Sequence, residues 1–402
     1  MQIYRWCLWK PLFYGRTANR LLPINNDKDL CMSGRNRRYN SGKIGLLLLC
    51  VGCLLSGCKA DKNVDETAFK EHQVNTIRVF LSVEKTPFLG RPTDVKSVSD
   101  GLFIVDEGNN QIIKVDKNGE LLLSFGNRGR GPGEFQSIAG FWPFEREYLV
   151  YDYNSFKFLT FNHRGELVEE ETLEQNPVNP DSDFSIPITL DAVSAEILLI
   201  PTGGRQGSLF AIADRGSGSQ TFAGSAVGDG NLNQEYDNEA VMQTYSRGEI
   251  PANFLNLVML GSSDKEIYSL HQTTGILEKY TQQGVKVWEK ELNIPAQRDL
   301  FDQIAEHNRK MGPDDTRKLF IYARAMDATK DGVFLLLNLP EGQPLTIAWV
   351  ANDGNTIHLV EAEGITMNPH GFMEGFTVSP EGEYVYYLER SSGTIYQFDW
   401  PI

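Results

Sequence analysis

Six side chains of this sequence stand where a ligand would meet them: Arg91, Asp94, Gln136, Asn253, Tyr322 and His370. Each lies at or just before the start of a short run that reads as a strand. Together they offer a cation, a carboxylate, two amides, a phenol and an imidazole, and an imidazole among such groups can move a proton to or from a bound molecule. His370, in Asn368-Pro369-His370-Gly371-Phe372, is the most pointed of them. No catalytic motif surrounds it. The other histidines (His72, His163, His271, His307, His358) are scattered, and none stands in a pattern with zinc spacing. A Gly-x-Ser-x-Gly nucleophile elbow is absent. The glycine-rich run from Gly126 to Gly133 lacks the Lys-Ser/Thr ending that cradles phosphate, and Pro132 removes one backbone donor, so it reads as a shaped turn. Asp106 and Asp152 could face a cation. A carboxylate just after a strand more commonly accepts from the backbone N–H two residues on and fixes a turn.

These residues need a scaffold, and the sequence repeats one. Leu102 through Leu121 lines up without a gap on Tyr148 through Leu167, 46 residues later. A period of 40–50 residues made of short strands marks a propeller blade. Within the first copy, 95–98 reads as one strand and Ser99-Asp100-Gly101 as a turn. The continuously apolar Leu102-Phe103-Ile104-Val105 fits a strand buried on both faces. Ile112, Ile113 and Val115 belong to a third strand, Asp116-Lys117-Asn118-Gly119 to a hairpin turn, and 121–125 to a fourth. A third copy runs from Ile267 to Gly284, which keeps the 17-residue spacing of Leu102 to Gly119 and of Tyr148 to Gly165. Weaker copies lie at 195–213, 333–355 and 384–398.

The expected fold is therefore all-β: a six-bladed β-propeller of four-stranded antiparallel blades, over 76–402. Inner strands are expected near 93–98, 137–143, 185–190, 253–260, 320–327 and 371–378. The last blade runs out at Ile402 after three strands, so 76–83 is expected to supply its fourth and close the ring. Loops from an outer strand to the next inner strand share one face with the turns between second and third strands. Three such loops are long: 126–136, 223–252, and 295–318 with one helical stretch at 296–311. Loops on a rigid scaffold are where binding usually resides. The plainer reading is that they only cap the tunnel.

Residues 1–57 do not read as part of the domain. They carry nine Lys/Arg and two acids, followed by an apolar run from Ile44 to Leu55 that is too short to span a bilayer. A basic segment ahead of a short apolar core is a secretory signal. It ends in Leu55-Ser56-Gly57-Cys58, which resembles the lipobox of bacterial lipoproteins; by that resemblance Cys58 carries lipid. Met32 is the expected true start. Residues 58–75 read as the lipidated cysteine and a flexible tether. Lys59 stands where an Asp would suggest inner-membrane retention, so the resemblance implies an outer-membrane lipoprotein, facing the periplasm or the cell surface. The five cysteines, Cys7, Cys31, Cys50, Cys53 and Cys58, end there. The mature chain then has no disulfide and no cysteine nucleophile.

Residues 102–126 look like an NHL-type blade. The run Gly126-Asn127-Arg128-Gly129-Arg130-Gly131-Pro132-Gly133-Glu134-Phe135 resembles the Gly-Pro-Gly-Glu-Phe loop of TolB-like six-bladed propeller lipoproteins of Bacteroidetes. The likeness is architectural over 58–402 and closest in residue detail over 88–170. It implies fold and location.

Without residues 1–57 the net charge falls from −15 to about −22. That balance argues against nucleic acid as a partner. It is compatible with a cationic partner or a divalent cation such as Ca²⁺; no motif demands a cofactor. The expected function is a lipid-anchored envelope module that binds a protein, peptide or glycan. The alternative is an NHL-like lyase or lactonase with a divalent metal in the tunnel.

Overall fold

The computed structural model describes residues 69–173, 190–228, 238–263, 266–312, 315, 317–367 and 374–402. They form a six-bladed β-propeller. The blades, each given from inner to outer strand, follow one another along the chain. Blade one is Pro92–Val98, Gly101–Asp106, Gln111–Val115 and Leu121–Phe125. Blade two is Ile138–Pro143, Tyr148–Asp152, Lys157–Phe161 and Leu167–Thr172. Blade three is Asp191–Ala192, Ile197–Pro201, Phe210–Asp214 and Gln220–Ala223. Blade four is Val258–Ser262, Glu266–His271, Ile276–Thr281 and Lys286–Glu291. Blade five is Ala323–Thr329, Gly332–Leu337, Pro344–Ala351 and Ile357–Thr366. Blade six is Gly375–Val378, Tyr384–Glu389 and Thr394–Asp399, completed by Ile77–Ser82.

Why the second strands are apolar throughout is visible in blade one. Leu102 and Ile104 pack in a cluster shared with blade six, whereas Phe103 and Val105 pack in one shared with blade two. Successive side chains point to opposite faces, and a neighbouring blade covers each face. Six apolar clusters of this kind separate consecutive blades around the ring. The hairpin glycines Gly119, Gly165 and Gly284 hold the same place in three blades and all have positive φ, at 86, 73 and 77°, where a side chain would be strained.

The ring closes as the sequence predicts. Ile77–Ser82 pairs antiparallel with Thr394–Asp399, and Arg78 Nε donates to Gln397 Oε1 at 2.7 Å across the seam. Part of the expected tether, 58–75, is instead a strand. Phe69–Val74 is a strand that adds in parallel to the outer edge of blade five, along Ile357–Thr366. Val74 is buried among blade-five and blade-six side chains, and His72 stacks on His358. The polar Lys70-Glu71-His72-Gln73 hid this strand in the sequence.

Inner strands start later than expected in the second half of the ring. Blade four begins at Val258 because Pro251 leads into a short 3₁₀ turn, Ala252–Phe254. In blade three the described inner strand is Asp191–Ala192, and most of the expected 185–190 lies outside the described residues. No helix among the described residues is long and apolar enough to cross a membrane.

Candidate functional site

The inner strands bring charge to the axis. Asp191, on the inner strand of blade three, accepts from Trp142 Nε1 of blade two at 2.9 Å and from Ser262 Oγ of blade four at 2.7 Å. Asp327, on the inner strand of blade five, accepts from Thr377 Oγ1 and Val378 N of blade six at 2.9 and 2.7 Å. Thr377 Oγ1 in turn accepts from Ser97 N of blade one at 3.1 Å. The hydrogen bonds thus form two arcs, over blades two to four and over blades five, six and one. Lys96 of blade one sits in the field of both carboxylates and 3.9 Å from Asp94 Oδ2.

Electrostatics follow from that enclosure. Burial pushes the Asp191 carboxyl up, against the pull of Lys96 and of its hydrogen bonds. Burial does the same at Asp327. For Lys96, burial lowers the ammonium, but Asp94, Asp327 and Asp191 together outweigh it and hold it above its usual value. One cation among three carboxylates leaves this axial cluster net negative when all are ionised.

Beside the entries to the inner strands of blades four and five, the two longest loops fold into a cap. The loop after blade three carries helix α1, Asn238–Ser246, and the loop after blade four carries helix α2, Pro295–Lys310. Helix α2 starts on Pro295 at its first turn, where the missing N–H costs no helical bond. The helices share an apolar core of Tyr245, Phe254, Leu257, Leu300, Ile304, Ala305 and Phe320. Arg309 Nε donates to Arg247 O at 3.0 Å, and Asn308 ties Lys318 through both its amide groups at 2.9 Å. Gly248, with φ 73°, allows the close approach: a Cβ there would lie 2.6 Å from Arg309 Nε. The outward side of α2 presents Arg298, Asp299, Asp302, Gln303 and Glu306 to solvent.

On the same face the 126–136 loop is held stiffly. Gly131 N donates to Glu134 Oε2 at 2.7 Å, and Asn127–Arg128 pairs in parallel with Glu134–Phe135. Arg128 and Arg130 are exposed.

Of the six residues singled out in the sequence, the four whose side chains are described, Arg91, Asp94, Gln136 and Tyr322, lie in separate surroundings. Arg91 is exposed and pairs with Glu107 at 2.8 Å. Asp94 alone adjoins the axial cluster, beside Lys96. Gln136 is anchored through its backbone, its N–H donating to Asp152 Oδ2 at 2.8 Å. Asn253 sits in the 3₁₀ turn rather than at a strand entry. Tyr322 is buried between blades four and five, its hydroxyl donating to Leu292 O and its ring against Gly275; it packs there instead of lining a tunnel mouth. His370 lies outside the described residues, as does Cys58.

Asp106 and Asp152 are scaffold. Asp106 accepts from Gly90 N, Arg91 N and Gly108 N, at 2.9, 2.6 and 3.0 Å. Asp152 accepts from Gln136 N, Ser137 N and Asn154 N. Each ties the entry of its own inner strand to the turn two residues on. Among the described residues no three His, Cys, Asp or Glu side chains gather to hold a metal ion.

Sequence reasoning missed Lys96, Asp191 and Asp327. A signal was present: each is a charged residue within or next to a short strand whose neighbours are apolar or small. Their convergence needs the ring, because they lie on alternate blades, roughly a hundred residues apart.

Comparison with known proteins agrees with the architecture. A family model described as DUF5128, 6-bladed beta-propeller, matches residues 78–184. No curated protein matches the sequence. Among solved structures, a protein named as exported from Bacteroides fragilis NCTC 9343 is similar over 82% of this chain and 99% of its own, at 11% identity and a TM-score of 0.49. A member of the duf4221 family from Bacteroides vulgatus ATCC 8482 is similar over 81% of this chain and 96% of its own, at 11% identity and a TM-score of 0.44. A virginiamycin B lyase from Staphylococcus aureus, solved with quinupristin, is similar over 80% of this chain and 98% of its own, at 11% identity and a TM-score of 0.42.

Proposed function

We propose that this chain is a lipid-anchored envelope module that binds a protein, peptide or glycan through the face bearing the helical cap. One observation carries the reading. The two longest loops of the ring pack on each other around a shared apolar core, so that one face presents a built surface. A loop that merely spans a gap needs no core of its own. The axial carboxylates Asp191 and Asp327, by contrast, are already engaged with donors of neighbouring blades. Cys58 and the basic, apolar leader support anchoring at the outer membrane.

Two experiments test this. The mature domain is immobilised and compared with an Asp302→Ala/Gln303→Ala/Glu306→Ala variant for retention of envelope peptides, proteins and glycans. These side chains are exposed and lie outside the cap core, so folding is retained. Equal retention by both forms removes the cap from the binding account. Metabolic labelling with a fatty acid is expected to mark the native chain and to be lost in Cys58→Ser; labelling that persists removes the anchor.

A further inference from the structure

Blades three and four meet across an apolar cluster that includes Leu199, Phe210 and Ile212 on one side and Val258, Leu260, Ile267 and Tyr280 on the other. Three polar side chains on this face of blade four interrupt it. Ile267, Ser269 and His271 alternate along one strand and so share a face. Glu278 stands directly opposite Ser269 on the next strand. Exposure is 0% at Ser269, 2% at His271 and 4% at Glu278.

Glu278 is satisfied. Its Oε2 meets His271 Nε2 at 3.3 Å and accepts from Tyr280 Oη at 2.7 Å, and its Oε1 meets Lys286 Nζ at 3.0 Å. Burial raises the carboxyl, but these three partners outweigh it and hold it down to about 2. An ionised carboxylate only accepts, so His271 carries its proton on Nε2. Nδ1, the other ring nitrogen, then needs a partner of its own. It has none, and Ser269 Oγ has no partner either. A buried hydroxyl and a buried imidazole nitrogen left dry beside a carboxylate each carry a full desolvation penalty. Folded proteins of this size contain ordered internal water at such places, about one per 27 residues.

We infer that the interface of blades three and four encloses a hydration site, in which ordered water hydrogen-bonds His271 Nδ1 and Ser269 Oγ. Water is the ligand class that fits: the two groups lie on one face of one strand and are closed to solvent, and the nearby Glu278 carboxylate already has its partners. The site makes the buried polar face of blade four a fixed part of the ring.

The sign of a single substitution separates a wet site from a dry one. Ser269→Ala deletes the hydroxyl with little change in shape. A hydrated site loses a water contact, and the melting temperature is expected to fall by roughly 1–3 °C. In a dry site the same change removes an unpaired hydroxyl and the melting temperature rises, which overturns the inference. A crystal structure of the native chain at about 1.8 Å or better gives the second readout. Water density within hydrogen-bond distance of His271 Nδ1 and Ser269 Oγ supports the site, and an empty or side-chain-filled space there refutes it.

Discussion

Replacing Lys96 by Met tests the axial cluster most sharply. Among the described residues, Lys96 is the cation placed among Asp94, Asp191 and Asp327. At an effective dielectric of about 20, a unit pair 3.9 Å apart gains ~4 kcal/mol. Asp94 is 36% exposed, however, and screening by water reduces that pair to under ~1 kcal/mol. The larger loss comes from the two partly buried carboxylates, each of which, while ionised, would have only neutral donors around it. Removing one partner from a buried ionic group costs about 3–5 kcal/mol. Lys96 retains 27% exposure, so Lys96→Met is expected to lose about 2–4 kcal/mol at pH 7.5. The pH dependence carries a second signature. Burial already holds the Asp191 and Asp327 carboxyls above their usual range, and losing Lys96 raises them further. A carboxyl whose folded pKa lies above its unfolded value binds protons more tightly when folded, so folding gains stability as pH falls through it. The deficit of Lys96→Met is therefore greatest at pH 7.5 and narrows towards pH 5. Urea unfolding at both values measures it. A variant as stable as the native chain at pH 7.5, or a deficit that widens on acidification, would refute the reasoning.

Further outcomes follow from other contacts. Arg324 and Glu374 form a pair 3.6 Å apart with side chains only 3 and 2% exposed; Arg324→Met alone is expected to cost about 3 kcal/mol in chemical denaturation, and Arg324→Met combined with Glu374→Met less than the sum of the singles. His72 Nε2 and His358 Nδ1 lie 2.8 Å apart, and burial, then His72 and Lys70, hold His358 below the ordinary imidazole value. The unfolded chain then takes up the proton first, so stability present above about pH 6.5 is lost as pH falls through the folded value; amide exchange over 69–74 should quicken between pH 7.5 and 5.5 relative to blade one, and an unchanged rate would contradict this. Gly165, at φ 73°, would place an Ala Cβ 2.6 Å from Phe125 Cβ, whereas Gly342, at φ 83°, has nothing within 4 Å. Gly342→Ala should therefore show the backbone cost alone, about 1 kcal/mol, and Gly165→Ala about 2–4 kcal/mol once the clash is added, both read from unfolding midpoints.

Much of the fold was legible because a blade is written locally. Apolar second strands, a glycine at each hairpin and a 17-residue spacing are all properties of adjacent residues, and they located the strands of blades one and two, and the second and third strands of blade four, closely. The seam was legible too, since a last blade with three strands needs a fourth from elsewhere. Phe69–Val74 escaped because only Phe69 and Val74 are apolar and the partner edge is nearly 290 residues away. Helix α1 escaped for the related reason that its one deeply buried side chain, Tyr245, packs on a second insertion. The candidate site was less legible still. Strand entries gave Asp94 its place beside Lys96, but Tyr322 also occupies such an entry and packs inward against Gly275. Which way a residue at a blade edge points depends on the register of the neighbouring blade, and no local pattern encodes that.

Photo-crosslinking at two positions tests the central claim most directly. A photoreactive residue replaces Gln303, exposed on α2 in the cap, or Val287, 53% exposed on the outer strand of blade four. Illumination in cells is predicted to give a discrete envelope adduct from position 303 and none from position 287. Adducts from 287 alone, or the same adducts from both positions, would contradict a module that binds through its capped face.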